Sequence, residues 1–221
     1  GGGSSKPRLL TCSDYTGLEI MRVLKDEVIN QKIPLLEFAA AIELLSDDEE
    51  NCTGAIFKDL DNQRHVVVAA KSVILATGGI GRLHIQGFPT SNHYGATGDG
   101  LCLAYRMGAK LDHIDTFQYH PSGAVYPEQL IGQLVTEGIR SEGGQLVNAK
   151  GERFVNELDT RDVVSSSIIR ECEEGRGIRT MSGRVGVWLD TPLLDAEHGP
   201  GTVEKHFPAM MLQFERFGID I

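Results

Sequence analysis

The sequence predicts a mixed fold, α/β passing into α+β, organised as two units over residues 1–114 and 115–221. Three observations carry that prediction. Val73-Ile74-Leu75-Ala76 is wholly apolar, as a short strand buried on both faces of a parallel sheet would be. It empties directly into the glycine turn Thr77-Gly78-Gly79-Ile80-Gly81, where bare backbone can approach a ligand closely. Ahead of it lie extended segments separated by short polar turns, the pattern of a three-stranded antiparallel meander. After about Ile114 the strands shorten and glycine turns multiply, so the second half reads as a separate α+β unit.

The elements follow in order. Thr16-Gly17-Leu18-Glu19 has the form of a capping box, and Ile20, Val23, Leu24 and Val28 continue at helical spacing to about Asn30. Pro34 breaks that pattern, and Leu35 to Leu45 reads as a strand. The acidic run Ser46 to Asn51 is a solvated turn. Gly54 to Leu60 and His65 to Ala70, joined through Asp61-Asn62, form a hairpin. Thr97-Gly98-Asp99-Gly100 opens a helix that runs through Leu101, Ala104 and Tyr105 to Gly108. In the second half, Thr160 is placed as the N-cap of a helix with Val163, Val164 and Ile168 on its apolar face, ending at Glu174-Gly175. Val185 to Leu189 reads as a buried strand, and Pro208 to Phe217 as a closing helix stopped by Gly218.

Composition narrows the function. A net charge of −10 argues against a nucleic-acid or anionic-membrane surface, and an acidic protein that binds an anion must gather its positive charge locally. The 4 cysteines are scattered without a C-x-x-C pair, so neither a zinc site nor a redox motif is signalled, and no metal is expected. No apolar run approaches the roughly 18–20 residues of a membrane helix, so no direct membrane insertion is expected. The chain opens Gly1-Gly2-Gly3-Ser4-Ser5 without a methionine, which suggests a linker or an internal loop of a longer protein.

Arg161 is the most informative single residue. It stands at the start of a helix, where a cation opposes the macrodipole at a cost of about 0.3–1 kcal/mol. Either its side chain turns into solvent, or the site wants concentrated positive charge for an anionic ligand. Glu137 and Arg140 are three apart and can pair on one helical face, which on its own is also the signature of an ordinary surface ion pair. His120 is held extended by Pro121. Asp99 suits a helix N-terminus and could equally accept a hydrogen bond from a ribityl or ribose hydroxyl. The strand–G-x-G-x-x-G–helix fingerprint of a self-sufficient dinucleotide binder is missing, because Gly78-Gly79-Ile80-Gly81 lacks the third glycine at the required offset.

Five blocks together resemble one family. They are VILATGG (Val73 to Gly79), TGDG (Thr97 to Gly100), FQYHP (Phe117 to Pro121), TEGIRSEGG (Thr136 to Gly144) and GERFVNELDTRDVV (Gly151 to Val164). In this order they are similar to the flavoprotein subunits of fumarate reductase and succinate dehydrogenase, a family that includes soluble fumarate reductases and L-aspartate oxidase. Ser4 to Arg8 and the tail from His206 also resemble that family. Ser141 departs from its usual glycine.

The resemblance implies a central fragment, with part of an FAD-binding domain in 1–114 and a capping domain in 115–221. It implies FAD as the cofactor of the intact protein, contacted by Thr77, Gly78 and Asp99. It further implies that His120 and Thr136 hold a substrate carboxylate. Arg161 would transfer a proton, supplied through Glu137 and Arg140. The implied function is interconversion of fumarate and succinate, or of a related C4 dicarboxylate, in the cytoplasm or at the inner face of the membrane through iron–sulfur or haem partner subunits. L-Aspartate oxidase is the alternative. A folded fragment without activity, or an interaction module, is the alternative of another class.

Overall fold

The computed structural model describes residues 6, 8, 10–83, 89–219 and 221. The opening Gly1 to Ser5 segment lies outside the described residues, and of the Ser4 to Arg8 block only Lys6 and Arg8 are described. The chain divides into two compact units, Asn30–Phe117 and Gly1–Ile29 together with Gln118–Ile221. Helices and small sheets are mixed, as the sequence predicts, and no described sheet exceeds three strands.

In the unit Asn30–Phe117, β1 (Ala39–Ser46), β2 (Cys52–Asp59) and β3 (His65–Ala69) form the expected antiparallel meander in the order β1-β2-β3. β1 starts later than Leu35 because Phe38 sits at φ 51°, a left-handed conformation that a strand cannot run through. The acidic turn is closed by Asp47, whose Oδ1 accepts the backbone N–H groups of Glu49 (3.0 Å) and Asn51 (2.8 Å). Asp59 closes the hairpin in the same way, accepting from the backbones of Asp61 and Asn62, each at 3.0 Å. Gly54 is required in β2, since a Cβ there would collide with the Val68 carbonyl oxygen.

Val73 to Ala76 is a correction to the sequence reading. It carries no ladder hydrogen bonds, and Ile74 is 91% exposed. A strand buried on both faces needs neighbours on both sides, and no described residue pairs with it. Beyond it, the glycine turn and α2 (Asp99–Arg106) are tied together by Gly98 N–H donating to the Gly79 carbonyl at 3.0 Å and Arg82 N–H to the Ala96 carbonyl at 2.9 Å.

The other unit contains α1 (Thr16–Asn30), α3 (Glu137–Ser141), β4 (Gln145–Val147), α4 (Arg161–Glu173), β5 (Ile178–Arg179), β6 (Val185–Gly186), β7 (Trp188–Asp190), α5 (Pro192–His198), α6 (Thr202–His206) and α7 (Pro208–Glu215). α1 has the predicted extent, but the capping box does not form. The Tyr15 carbonyl accepts the N–H of Glu19, Thr16 Oγ1 accepts from Cys12 N–H, and the Glu19 carboxylate is drawn to Arg22 instead. The single buried strand expected over Val185 to Leu189 is split. β6 pairs with β5, β7 pairs with β4, and Trp188 is exposed.

The core of this unit gathers Ala124, Leu130, Ile139, Leu194, Val203, Phe207, Met210 and Phe214. α3 lies so close to Phe207 that a Cβ on Gly138 would meet its ring carbon Cε1 at 2.7 Å. α7 ends at Glu215, and Gly218 follows it in the left-handed region at φ 70°. Its free N-terminal N–H groups are satisfied from far away in sequence. Asp14 Oδ1 accepts from Ala209 at 3.1 Å and Oδ2 from Met210 at 2.9 Å.

Candidate active site

Four of the sequence-predicted residues meet at one carboxylate, three of them converging on Oε2 of the fourth, Glu137. Arg161 approaches it with Nε at 3.0 Å and Nη2 at 2.9 Å. Arg140 Nη2 lies 3.6 Å away and His120 Nε2 3.7 Å away. The five-residue helix α3 makes this possible, because Glu137 and Arg140 share its site-facing side while Ile139 is anchored in the core. Two arginines facing one carboxylate leave local positive charge in a chain of net charge −10.

The two arginines are held differently. Arg161, the first residue of α4, has its side chain 44% exposed, and its Nη1 also donates to Gln118 Oε1 at 3.3 Å. It therefore turns toward a carboxylate rather than into open solvent. Thr160 occupies the N-cap position with extended backbone but makes no side-chain cap. Arg140 is buried. Its Nε donates to Ser122 Oγ at 3.1 Å and its Nη1 to the Glu157 carbonyl at 2.7 Å, while Nη2 has no hydrogen-bond partner. Burial pushes the Arg140 guanidinium below its ordinary pKa, an effect that Glu137 opposes and Arg161 reinforces.

His120 is also shifted down, first by desolvation and further by the charges of Arg161 and Arg140. Its Nδ1 lies 3.2 Å from both the backbone N and O of Ser122, which leaves Nε2 as the nitrogen turned toward Glu137. Thr136 is the N-cap of α3, its Oγ1 accepting from Gly138 N–H at 3.3 Å, so its own hydroxyl proton remains available to a ligand.

Gln118, Ser122 and Glu157 do not stand out in the sequence. Gln118 and Ser122 flank His120 at two residues either side, and alternate residues of an extended chain face the same way, so period two was the available signal. No comparable local signal marks Glu157. It reaches the site through its main-chain carbonyl, while its buried carboxylate holds Leu146 N–H at 2.8 Å.

The far end of α4 is fixed by buried Glu171, which accepts from Arg176 Nε at 2.8 Å and Asn148 Nδ2 at 3.0 Å. These bonds bring its pKa to about 2 from the usual 4.5. The folded state thus binds this proton more weakly than the unfolded chain. The stabilisation is complete above about 4.5 and is lost as pH falls toward about 2. Thermal melts between pH 6 and pH 2 are expected to show a shallower acid-induced fall for Glu171→Gln than for the wild type. Parallel curves would assign the acid limb to other groups.

The other unit holds the three remaining candidates. Gly78 and Gly79 are consecutive left-handed residues at φ 83° and 79°, with no atom within 4 Å of a notional Cβ at either. Thr77 packs against Gly100, where a Cβ would collide with the threonine Oγ1. Asp99 is exposed at the first turn of α2 and accepts from Thr97 Oγ1 at 2.7 Å. Thr77, Gly78 and Asp99 are thus brought together around open backbone, which fits a cofactor held by main-chain contacts and one carboxylate. Among the described residues no group of three His, Cys, Asp or Glu side chains is placed to hold a metal ion. No described helix is long and apolar enough to cross a membrane.

The FAD binding domain family model matches residues 1–221. An uncharacterised FAD-dependent oxidoreductase of Methanocaldococcus jannaschii is 43% identical over 228 residues, spanning 100% of this chain and 39% of the relative. One subunit of the fumarate reductase (CoM/CoB) of Methanothermobacter marburgensis is 40% identical, again over 100% of this chain and 39% of the relative. An L-aspartate oxidase of Ralstonia nicotianae is 32% identical over 100% of this chain and 41% of its own. Among solved structures, Mycobacterium smegmatis Sdh1 in complex with UQ1 superposes with a TM-score of 0.65 at 35% identity, covering 97% of this chain and 37% of that one. The chain therefore spans about two-fifths of the length of these relatives. It belongs to the FAD-binding flavoprotein family that contains fumarate reductases, succinate dehydrogenase flavoprotein subunits and L-aspartate oxidases.

Proposed function

We propose that the full-length protein is an FAD-dependent oxidoreductase that interconverts fumarate and succinate, with Arg161 as the proton donor and acceptor. The observation that carries this is the meeting of Arg161, Arg140 and His120 at a single oxygen of Glu137. Residues 1–114 act in this reading as part of the FAD-binding domain, with Thr77, Gly78 and Asp99 as cofactor contacts, and 115–221 as the capping domain. FAD, when bound, supplies or accepts the hydride.

The chain's own residues handle the substrate and the proton. Reduction of fumarate adds a hydride to one alkene carbon and a proton to the other. His120 and the Thr136 hydroxyl hold a substrate carboxylate and polarise the alkene toward hydride addition. Arg161 gives its proton to the second carbon and recovers one from Glu137, which is recharged in turn by Arg140. Arginine normally holds its proton too firmly for this role. Burial loosens the hold of Arg140 on its proton. Succinate oxidation runs the same transfers in reverse. Electrons reach the flavin through iron–sulfur or haem partner subunits.

Steady-state assays of the full-length protein with fumarate, succinate and L-aspartate test the substrate class. Turnover is expected with the fumarate–succinate pair. L-Aspartate oxidation without it would move the protein to the oxidase branch, in keeping with the 32% identity to that enzyme.

A further inference from the structure

Arg140 has three guanidinium nitrogens, and the fold assigns two of them to fixed anchors. Nε donates to Ser122 Oγ at 3.1 Å and Nη1 to the Glu157 carbonyl at 2.7 Å. Nη2 is left buried, without a hydrogen-bond partner and 3.6 Å from Glu137 Oε2. A guanidinium is planar and rigid, so two anchored nitrogens determine where the third points. An unpaired buried donor is costly, and it persists only where the surroundings over-determine its position. The orphaned Nη2 therefore marks a position imposed by the anchors rather than found by Arg140 itself.

Ser122 is unusual in serving two of the converging residues. Its hydroxyl accepts from Arg140, and its backbone engages His120 Nδ1 at 3.2 Å. It is itself nearly buried, so water is poorly placed to replace the hydroxyl. We infer that Ser122 is a positioning residue that aims Arg140 Nη2 at Glu137, and so sets the distance over which Arg140 passes its proton. This rests on the functional reading above. It goes beyond that reading by naming the side chain on which the hand-off depends.

The test uses the full-length flavoprotein with Ser122→Ala and Ser122→Thr. Ser122→Ala removes the acceptor but keeps the backbone contact to His120. Its kcat for fumarate reduction is expected to fall about tenfold or more, since small misplacements of reacting groups carry such penalties, while KM and flavin content stay unchanged. Ser122→Thr restores the hydroxyl and is expected to recover most of the rate. Unchanged kcat in Ser122→Ala, or equal loss in both variants, would overturn the assignment.

A readout independent of turnover is the Arg140 Nε–H resonance in 15N-arginine-labelled protein. Slow solvent exchange is expected in the wild type and in Ser122→Thr, and fast exchange in Ser122→Ala. Fast exchange in the wild type would overturn the proposal whatever the substrate. If the wild type turns over no dicarboxylate, the functional reading fails, and the exchange measurement still decides the role of Ser122.

Discussion

Arg161→Lys is expected to lower fumarate reduction by about a thousandfold or more, within the range for loss of a general acid, while leaving FAD bound. The substitution preserves the charge, so a loss of that size would not come from weaker electrostatic attraction of a dicarboxylate. What it removes is the planar fork. Arg161 reaches Glu137 Oε2 through Nε and Nη2, and Gln118 Oε1 through Nη1. A lysine ammonium is a single point on a flexible stem and cannot span both partners in one orientation. Flavin absorbance separates loss of chemistry from loss of cofactor. Near-wild-type turnover by this variant would remove Arg161 from the role of acid.

The second large effect is structural. Ile139 is fully buried and lies in α3 directly between the core and the site, adjacent in sequence to Arg140. Ile139→Ala is expected to cost about 2–5 kcal/mol of stability and Ile139→Val about 0.5–1.5 kcal/mol, measured by denaturant unfolding. The spread between the two reports how far the surrounding side chains, Leu194 and Phe207 among them, can collapse into the space. A cost below about 1 kcal/mol for the alanine variant would show that the core around α3 repacks freely. In that case the α3 backbone would not be a rigid platform for Glu137 and Arg140.

Local pattern made much of the fold legible. The meander follows from extended segments separated by short polar turns, which Asp47 and Asp59 close by accepting backbone N–H groups ahead of them. α1, α4 and α7 follow from helical periodicity, Thr160 at the α4 N-cap and the glycines that stop α4 and α7. The misreadings share one cause, spatial partners that local sequence does not rank. Arg22 takes the Glu19 carboxylate from the capping box. Val73 to Ala76 has the composition of a buried strand, but composition does not supply its neighbours. Val185 to Leu189 divides because its two halves find different partners, Ile178-Arg179 and Gln145 to Val147.

Of the site, Arg161 stands out from its position alone, and the i,i+3 pair Glu137–Arg140 from its spacing. The meeting of those residues with His120 is a tertiary fact. It joins an extended segment, a five-residue helix and a helix start separated by as many as 43 residues, the span from Gln118 to Arg161. The Glu157 carbonyl was illegible for a further reason, since it acts on the site through Arg140 rather than on a ligand.

The contact between Asp14 and the start of α7 joins positions 195 and 196 residues apart. The unit containing the site is thus discontinuous in the chain, and the whole meander is carried inside a loop that this clasp closes. Closure entropy grows only with the logarithm of loop length, so doubling the intervening segment would cost about 0.6 kcal/mol. Lengthening or shortening the turns at Asp47 and Asp59 would therefore barely tax the unit that holds Arg161. The architecture lets one part of the gene product change in size while the geometry around Glu137 is inherited intact.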